Sequence, residues 1–440
     1  MMKNLLLITL ASIIFSVFPG KAQEDDAWAL EECINYALEK NIQVRKSELA
    51  NQGNLYFAAQ AKAQRFPSLN ASFNHNFTWS KSETEEYSGF SGINGSNVSV
   101  NSGITLFNAS RITNQIKQAD LDLQVGQYAL ETVKESVSLS ILEAYLQVLY
   151  AEEQVKNSKK QIESTSGQVD LASERLALQL ISQADYAQVK AQLASEKLIL
   201  ANSENQLAIA KVNLEQLMEL PVTQSFNIVH PEFAESVNQN RLPDVTAVYE
   251  TALAIKPQVK NAEVNKKIAA LDEKIARAGY FPTLSVSAGI GTGYSNQLTD
   301  PYFDQIDKGI SPSLGFSLSI PIYQKKQTST SVAVAKLGYH DAELTELDTR
   351  NGLRKKIEQA CVDVTSAQVK YEASLESYQA TQLSAALSEE KFRQGIINSV
   401  DYLVSKTNLI VAESELLQSK FNLIFSYKVL DFYSGIPISL

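Results

Sequence analysis

The chain of 440 residues is poor in histidine and cysteine, the residues that most often bind metals or form redox centres. It has three histidines and two cysteines, and neither Cys33 nor Cys361 has a second cysteine or a histidine nearby in sequence. Structural zinc sites, redox CxxC pairs and disulfide frameworks need these residues in clusters. The sequence therefore excludes all three, and we expect no metal and no cofactor.

Recognisable catalytic motifs and a basic surface are also missing. The chain has no phosphate-binding glycine loop, no GxSxG nucleophile motif and no HExxH motif. Its formal net charge is -10, whereas a nucleic-acid-binding face needs clustered lysine and arginine. We therefore expect a protein that is not an enzyme, has no catalytic residues and has no nucleic-acid partner.

Long hydrophobic runs are absent after the N-terminus, so the sequence predicts no membrane-spanning helix, which needs about 18 or more apolar residues. At the N-terminus, Lys3 precedes an apolar run over 5–18, and small residues follow up to Ala22. This pattern predicts a signal peptide over residues 1–22 that is cleaved after Ala22. No cysteine lies at the cut, so we expect no lipid anchor. If this exported protein spans a membrane, it must do so with strands.

An internal repeat organises the rest of the chain. Phe66-Pro67-Ser68-Leu69 recurs as Phe281-Pro282-Thr283-Leu284, and Ser182-x-x-Asp185-Tyr186 recurs as Asn398-x-x-Asp401-Tyr402. Because these pairs occur in the same order at nearly the same offset, they predict a duplication. The chain then consists of a first structural repeat, a linker and a second structural repeat, over residues 23–220, 221–243 and 244–440.

Each repeat has two segments in which apolar and polar residues alternate, as in strands. The predicted strands cover residues 68–79, 97–107, 283–294 and 313–323. Their polar faces carry small uncharged residues, as transmembrane barrel strands do, whereas a half-buried strand of a soluble sheet normally carries charges. The residues expected to face lipid are Leu69, Phe73, Phe77, Val98, Val100, Leu284, Val286, Phe316, Leu318 and Ile320.

The segments between these strands support the same interpretation. Residues 80–95 and 295–312 are polar and suit the longer external loops of such barrels, while Trp79 and Tyr294 suit an aromatic girdle at the membrane surface. Four strands cannot close into a barrel alone, and an open edge in lipid leaves backbone groups unpaired. We therefore expect the chain to oligomerise with itself.

The remaining segments predict long helices, because proline is absent between Pro67 and Pro221 and between Pro321 and Pro437. Helices are expected over residues 108–178, 182–218, 324–394 and 398–433, and shorter ones over 28–65 and 244–279, with Pro257 at the first position of a restarted helix. Heptad spacing predicts coiled-coil packing through Tyr186, Leu193, Leu200, Leu207 and Leu214 and through Tyr402, Leu409, Leu416, Leu423 and Leu430. We expect the helices over 182–218 and 244–279 to stack end to end beside a long helix.

At the turn between two of these helices, the chain resembles the TolC family of outer-membrane efflux proteins, the outer membrane factors. Phe392-x-x-Gly395-Ile396-x-x-x-x-Asp401 matches the family's periplasmic-tip pattern of an aromatic residue, a glycine three positions later and an aspartate six positions after that. The first-repeat version, Leu176-x-x-Gln179-x-x-x-x-x-Asp185, keeps the spacing but has glutamine in place of glycine. The resemblance covers essentially the whole mature sequence.

This resemblance implies an α+β membrane protein of the Gram-negative outer membrane. Four transmembrane strands per chain would contribute to a trimeric, twelve-stranded β-barrel, continued by a long periplasmic coiled-coil barrel with the linker in its equatorial region. The implied function is an exit duct for small molecules or proteins in a tripartite efflux or type I secretion system. The implied partners are outer-membrane lipid, a periplasmic membrane-fusion adaptor and an inner-membrane pump of the RND, ABC or MFS type.

The resemblance also implies a role for the tip residues. The adaptor would contact Gln179, Ile181, Ser182, Phe392, Gly395, Ile396 and Asn398. Asp185 and Asp401 would line and gate the aperture, although Val404 occupies the position of a second acidic ring. From the residues alone, both aspartates are also explained as parts of helix caps. A secreted or surface coiled-coil structural or adhesion protein without a transport role remains the alternative function.

Overall fold

A computed structural model of the chain describes residues 27–84, 87–221, 226–231 and 244–440. The predicted signal peptide and most of the predicted linker lie outside these residues. The described helices and strands run in the order α1 Leu30–Lys40, α2 Ile42–Ala63, β1 Ser68–Thr84, β2 Tyr87–Phe107, α3 Arg111–Ala177, α4 Gln183–Met218, α5 Val245–Ile255, α6 Pro257–Arg277, β3 Thr283–Ser295, α7 Tyr302–Lys308, β4 Ser311–Ser319, α8 Gln327–Arg393 and α9 Ser399–Tyr433.

The long helices α3 and α8 have the same length. Each has 67 residues and therefore extends about 100 Å at 1.5 Å per residue. Helix α3 packs against α4 and α2, and α8 packs against α9 and α6, while α6 also contacts α3. None of the helices in the described residues is both apolar enough and long enough to cross a membrane.

The segments 28–65 and 244–279 are both broken near their middle; the restart at Pro257 was predicted, and the break at Asn41 was not. In the first, Asn41 leaves the helical conformation and its side chain accepts a hydrogen bond from the Gln43 N–H at 2.8 Å. In the second, Lys256 is extended and Pro257 occupies the first helical position, where a proline is tolerated because that N–H has no partner in the helix. The two breaks lie 215 residues apart, at the offset of the sequence repeat.

The expected end-to-end stacking of the helices over 182–218 and 244–279 is wrong. The end of α4 meets the start of α2 instead, because the Asn41 side-chain amide donates to the Leu217 carbonyl at 2.9 Å. Likewise the end of α9 meets the start of α6, where the Lys256 ammonium lies 3.2 Å from the centre of the Phe432 ring. Each stacked pair therefore comes from one repeat.

The four strands form one antiparallel sheet in the order β1-β2-β3-β4. Strands β1 and β4 are its two edges, and neither has a second partner strand within the described part of the chain. An edge strand presents unpaired backbone N–H and C=O groups. The sheet of one chain is therefore open on both sides.

The expected loop over residues 80–95 is wrong in the structure. Strand β1 continues to Thr84 and β2 begins at Tyr87, with Ser80 paired to Ser91 and Thr84 to Tyr87. Strand β3 ends opposite Gly95, so the hairpin extends beyond the rest of the sheet as a two-stranded ribbon. The sequence over residues 80–95 is largely polar and lacks a regular alternation of apolar residues. The continuation of the strands was therefore not predicted.

The segment 295–312 and the last strand also differ from expectation. Helix α7 lies inside the expected loop, and its Gln305 side chain accepts from the Ser295 N–H at 2.9 Å and donates to the Asp300 carbonyl at 2.6 Å. Strand β4 covers Ser311–Ser319 rather than 313–323. Ile320, expected to face lipid from this strand, lies just after it, because Pro321 cannot donate a ladder hydrogen bond.

The sheet separates apolar from polar side chains. Directly paired residues of antiparallel strands share a face, and Phe73 pairs with Val98 while Val286 pairs with Phe316. On the opposite face, the Ser72 and Ser99 hydroxyls are 2.8 Å apart. All the expected lipid-facing residues that lie in strands are on the first face.

The main hydrophobic core lies midway along the helices, where α1, α3 and α4 meet the described part of the linker. Trp28 and Ile228 form a parallel β-bridge there. The fully buried Tyr145 of α3 donates its hydroxyl to this bridge, with the Val229 carbonyl at 2.8 Å and the Trp28 carbonyl at 3.1 Å. A second, smaller core joins α5, α8 and α9.

Candidate functional site at the tips of the helical hairpins

Helices α3 and α4 form one hairpin and α8 and α9 form another, and both turn at the end of the molecule that is far from the sheet. We call the two turns, residues 175–185 and 391–401, the tip. They lie side by side, because the Ser399 hydroxyl donates to the Asp185 carboxylate at 2.7 Å. All nine predicted adaptor-contact and aperture residues lie in this tip or directly beside it.

Both turns end their long helices in the same backbone geometry. The Leu180 N–H bonds to the Arg175 carbonyl and the Gln179 N–H to the Leu176 carbonyl, both at 2.9 Å. Ile396 and Gly395 make the equivalent bonds after α8. This is the Schellman arrangement, which requires a left-handed residue after the helix. Gln179 supplies it with φ +57° and Gly395 with φ +77°.

The two turns differ in backbone strain, because a residue with a side chain disfavours the left-handed region and glycine does not. We expect Gln179→Gly to stabilise the first turn by about 1 kcal/mol and Gly395→Ala to destabilise the second by about 1 kcal/mol. The second effect is purely conformational, since a Cβ at Gly395 would have nothing within 4 Å. Hydrogen exchange of the tip amides measures both changes.

A matched control for these substitutions is Gly352→Ala in α8. Its Cβ would also have nothing within 4 Å, but its backbone is helical, so alanine should stabilise the helix by up to about 1 kcal/mol. Slower exchange at the tip in Gly395→Ala than in the unchanged protein would contradict the strain argument.

Both hairpins restart with a capped helix. The Ser182 hydroxyl accepts from the Asp185 N–H at 3.1 Å, and the Asp185 carboxylate accepts from the Ser182 N–H at 3.3 Å, which completes a capping box. Asn398 likewise accepts from the Asp401 N–H at 2.9 Å. The Asp401 carboxylate, however, is exposed and accepts no hydrogen bond within the described residues. Capping therefore accounts for the Asp185 carboxylate but leaves the Asp401 carboxylate free.

Two polar contacts join the hairpins at the tip. The first is the bond between Ser399 and Asp185. In the second, the Arg175 guanidinium donates to the Arg393 carbonyl at 2.6 Å and to the Phe392 carbonyl at 3.4 Å. Hydrogen bonds from the hydroxyls of Ser182 and then Ser399 lower the pKa of Asp185 below its usual value. Asp185 therefore stays ionised at neutral pH and accepts hydrogen bonds from the hydroxyls of Ser182 and Ser399.

An aromatic stack supports the second turn from inside. The rings of Phe392 and Tyr402 are parallel and 4.9 Å apart. The Tyr402 hydroxyl is buried and accepts a hydrogen bond from Gln168 of the other hairpin. Burial is the main reason that the pKa of Tyr402 is raised. The heptad pattern correctly placed Tyr402 in the packing, but its contact with Gln168 was not foreseen.

One buried polar cluster near the tip was not predicted from the sequence. Above the tip, Lys406 of α9, Glu196 of α4 and Thr165 of α3 form a buried polar cluster in which Lys406 lies 3.4 Å from Glu196. Burial lowers the pKa of Lys406, and the negative charge of Glu196 opposes this effect. The heptad pattern could have predicted the burial of Glu196. It lies three residues after Leu193, at the second core position of the heptad, where a charged residue is unusual.

The end of the tip is apolar and exposed. Ile396, Leu178 and Leu180 each have about two thirds of their surface exposed, and Val404 is also exposed on α9. Leu178 and Leu180 were not among the predicted contact residues. An exposed apolar group of this kind is typical of a surface that contacts another protein, a membrane or a ligand. In contrast, the described residues contain no group of three or more histidine, cysteine or acidic side chains that could hold a metal ion.

The expected lipid-facing residues lie at the other end of the molecule. Helix α3 alone separates them from the tip by about 100 Å. Leu69, Phe73 and Phe316 are each more than half exposed in the single chain. The molecule therefore has two distinct candidate sites, an apolar sheet face and a polar tip with an apolar end.

Comparison with known proteins identifies relatives of both halves. The model of the outer membrane efflux protein family matches residues 33–219 and again residues 248–435. The pyoverdine export outer membrane protein OpmQ of Pseudomonas aeruginosa is 26% identical over 206 residues, which are 46% of this chain and 40% of OpmQ. The matched region thus spans less than half of the length of this relative.

Solved structures of outer-membrane proteins have the same fold. The outer membrane protein VceC of Vibrio cholerae superposes with a TM-score of 0.75 at 16% identity, over 93% of this chain and 97% of VceC. The CmeC outer membrane channel of Campylobacter jejuni gives a TM-score of 0.77 at 16% identity, over 93% of this chain and 87% of CmeC. The predicted fold class, strands continued by long helices, is confirmed. The model of the outer membrane efflux protein family covers most of each half of the chain. The chain therefore belongs to the outer membrane efflux protein family.

Proposed function

We propose that this chain forms an outer-membrane channel that exports small molecules or proteins across the periplasm, as the exit duct of a tripartite efflux or type I secretion system. One observation carries the proposal: an open sheet with an apolar and an uncharged polar face is joined directly to helical hairpins about 100 Å long. A sheet of this kind suits lipid on one face and water on the other. The hairpins then extend into the periplasm.

The open sheet supports a trimer. Both of its edges must be paired in lipid, because no water is available there to satisfy backbone groups. Three copies would supply twelve strands, and β4 of one copy would pair with β1 of the next. In such a barrel the face with Phe73, Val98, Val286 and Phe316 contacts lipid. No lipid anchor is needed, and the predicted signal peptide directs export.

The polar face would line the channel. Its residues in β3 and β4 are serine and glycine apart from Thr283, and Gly289 lies opposite Asn101. A Cβ at Gly289 would come within 2.7 Å of the Asn101 side-chain oxygen, so glycine makes room for asparagine on this face. A lining without charges gives little selectivity in the barrel, and the acidic chain as a whole favours cations modestly. Selection of cargo then belongs mainly to the inner-membrane pump.

The tip would form the periplasmic aperture and its contact with an adaptor. Ile396, Leu178 and Leu180 provide an apolar surface that a membrane-fusion adaptor would cover, with a pump of the RND, ABC or MFS type behind it. The free Asp401 carboxylate would line the aperture, whereas Asp185 would hold the two hairpins together through Ser399. The name of OpmQ says that it exports pyoverdine, which supports small-molecule cargo as one possibility for this chain.

The proposal is tested by placing a photo-crosslinking amino acid at Ile396 in living cells. We expect an adduct with a periplasmic membrane-fusion adaptor, identified by mass spectrometry. The matched control is the same amino acid at Leu298, which is 62% exposed but lies beside α7 at the opposite end. An inserted protein that yields no adaptor adduct at Ile396, or the same adduct at both positions, would contradict the proposed tip contact.

An extraction test on the same cells separates the channel from a secreted or surface coiled-coil adhesion protein. A channel must require detergent for extraction from the outer membrane, because its apolar sheet face lies in lipid. Extraction by salt or alkali alone would favour the adhesion protein. Solubility is measured on the same cells before crosslinking.

Weakening the contacts between the hairpins should open the channel. Ser399→Ala removes the bond to Asp185, and a net hydrogen bond contributes about 1 kcal/mol, so the ratio of open to closed channels should rise about fivefold. Conductance in planar lipid bilayers measures this ratio. Ser384→Ala, an exposed α8 serine without a cross-hairpin contact, should leave it unchanged. Equal conductance of Ser399→Ala and the unchanged protein would show that this bond does not hold the channel closed.

A further inference from the structure

The four places where a helix meets a strand form one layer of the molecule. We call this layer, residues 62–67, 107–119, 274–283 and 320–328, the junction layer. Its parts are held side by side, because the Gln324 side chain donates to the Gly279 carbonyl at 3.3 Å and Lys62 pairs with Asp120 at 2.9 Å. The apolar face of the sheet begins directly beyond it, at Leu69 and Leu318.

The junction layer is strongly basic in an acidic protein. It contains eight basic residues and no acidic residue, a formal charge of +8 in a chain whose total is -10. All eight are exposed. They are Lys62, Arg65, Arg111, Lys117, Lys274, Arg277, Lys325 and Lys326.

Four carboxylates border the layer within one helical turn, at Asp120, Asp122, Asp272 and Glu273, and offset part of its charge. Lys62 pairs with Asp120, and Arg277 pairs with Glu273 at 2.6 Å, in both cases with a carboxylate just outside the layer. The other six basic residues have no carboxylate within 4.0 Å in the part of the chain that the structure describes. Helix α8 also begins here without a hydrogen bond from its N-cap side chain, so its N-terminal N–H groups add partial positive charge.

Large exposed aromatic side chains lie in the same layer. Each has more than half of its surface exposed in the chain. They are Phe66, Phe107, Tyr280, Phe281 and Tyr323. Aromatic residues concentrate at the boundary between lipid and water, where a ring can contact acyl chains and headgroups together. Their position between the apolar sheet face and the polar helices places this boundary at the junction layer.

We infer that the junction layer binds the phosphates of anionic phospholipids in the periplasmic leaflet of the outer membrane, an inference that rests on the proposed function. A lipid phosphate satisfies both features of the layer, because its charge matches the unpaired lysines and arginines and its acyl chains continue along the apolar sheet face. Nucleic acid or an acidic protein would match the charge alone.

The opposite end of the sheet argues for this leaflet rather than for the phosphates of lipopolysaccharide outside. The segment 295–312 contains Asp300, Asp304 and Asp307 and one basic residue, Lys308, so that end is acidic. The two ends of the sheet thus carry opposite charge. Binding of periplasmic headgroups would fix the depth of the channel in the membrane and leave the helices at a set distance from the pump.

The inference is tested with the purified full-length protein. Native mass spectrometry compares its binding of phosphatidylglycerol and phosphatidylcholine with identical acyl chains, and of lipid A. At low salt, phosphatidylglycerol should bind at least about tenfold more tightly than phosphatidylcholine, and this preference should decrease as salt is raised. The quadruple variant Arg65→Gln, Arg111→Gln, Lys325→Gln, Lys326→Gln should lose about tenfold or more of its affinity for phosphatidylglycerol.

The matched control removes four exposed lysines of the helices outside the layer: Lys190→Gln, Lys197→Gln, Lys355→Gln and Lys356→Gln. It should keep the preference. Equal binding of the two phospholipids by the unchanged protein, an equal loss in both variants, or tighter binding of lipid A than of phosphatidylglycerol would overturn the inference. Insertion into bilayers is measured on the same samples, so a protein that inserts without a lipid preference overturns this inference and leaves the proposed channel intact.

Discussion

Replacing Lys406 with methionine is expected to destabilise the helical part of the protein by about 3–5 kcal/mol. Glu196 would then remain as a charged group whose side chain is 1% exposed, with its cationic partner removed. Thr165 and Gln192 donate hydrogen bonds to Glu196, but they cannot neutralise its charge. Thermal unfolding followed by far-ultraviolet circular dichroism measures the loss.

The double variant Glu196→Met, Lys406→Met should recover most of this loss. Replacing both members of a buried ion pair with apolar residues is often neutral or stabilising, because neither charge then has to be desolvated. The four-variant comparison, with Glu196→Met alone as the fourth, gives the coupling energy of the pair. Loss in the double variant equal to the sum of the two single losses would show that the pair is not coupled.

A control for the loss of a lysine is Lys190→Met on α4. Lys190 is exposed, and surface substitutions of this kind usually change stability by less than about 0.5 kcal/mol. Because Glu196 and Lys406 belong to different hairpins, the double variant also tests whether the buried pair selects their relative position. Altered conductance of a double variant that is as stable as the unchanged protein would support that role.

The second large effect is expected for Tyr145→Ala, which should cost about 3–5 kcal/mol. Tyr145 is 1% exposed in the main core, and removing a large buried aromatic side chain leaves a cavity. Its hydroxyl also binds the carbonyls of Trp28 and Val229, so the bridge between the N-terminal segment and the linker loses its contact with α3. Thermal unfolding measures the total cost.

Tyr145→Phe separates the hydroxyl from the ring. It keeps the packing and should cost about 1–3 kcal/mol, because the Val229 carbonyl loses the hydroxyl as a donor, whereas the Trp28 carbonyl still accepts from the Val229 N–H at 3.0 Å. Tyr150→Phe is the matched control on the same helix, since the Tyr150 hydroxyl makes no hydrogen bond within the described residues and its ring contacts Phe421. Comparable losses in the two phenylalanine variants would mean that the hydroxyl of Tyr145 contributes nothing specific.

The elements with a regular period could be predicted from the sequence. Alternation placed all four strands, and the absence of proline together with the heptads placed the long helices. The cap at Ser182 and the left-handed turn at Gly395 follow from residues that are adjacent in sequence. These features depend on local backbone preferences, so they can be recognised without knowing what packs against them.

The irregular features could not be predicted in this way. The sequence over residues 80–95 shows no regular apolar alternation, and the Asn41 side chain at the helix break bonds the Leu217 carbonyl 176 residues away. The same holds for the burial of Lys406 beside Glu196, which lies 210 positions earlier in the chain. The pattern of residues within one segment does not show which distant residue will contact it. Each partner has the sequence context of an ordinary surface residue.

The sequence by itself determined the duplication, the two-faced strands, the helix lengths and the tip motif, since each is set by periodicity or by neighbouring residues. Only the tertiary structure decided that α4 stacks on α2 and α9 on α6, that Asp185 is bonded while Asp401 is free, and that eight basic residues from four junctions share one layer. The physical reason is that burial, pairing and charge density depend on distances between segments, and only folding sets those distances.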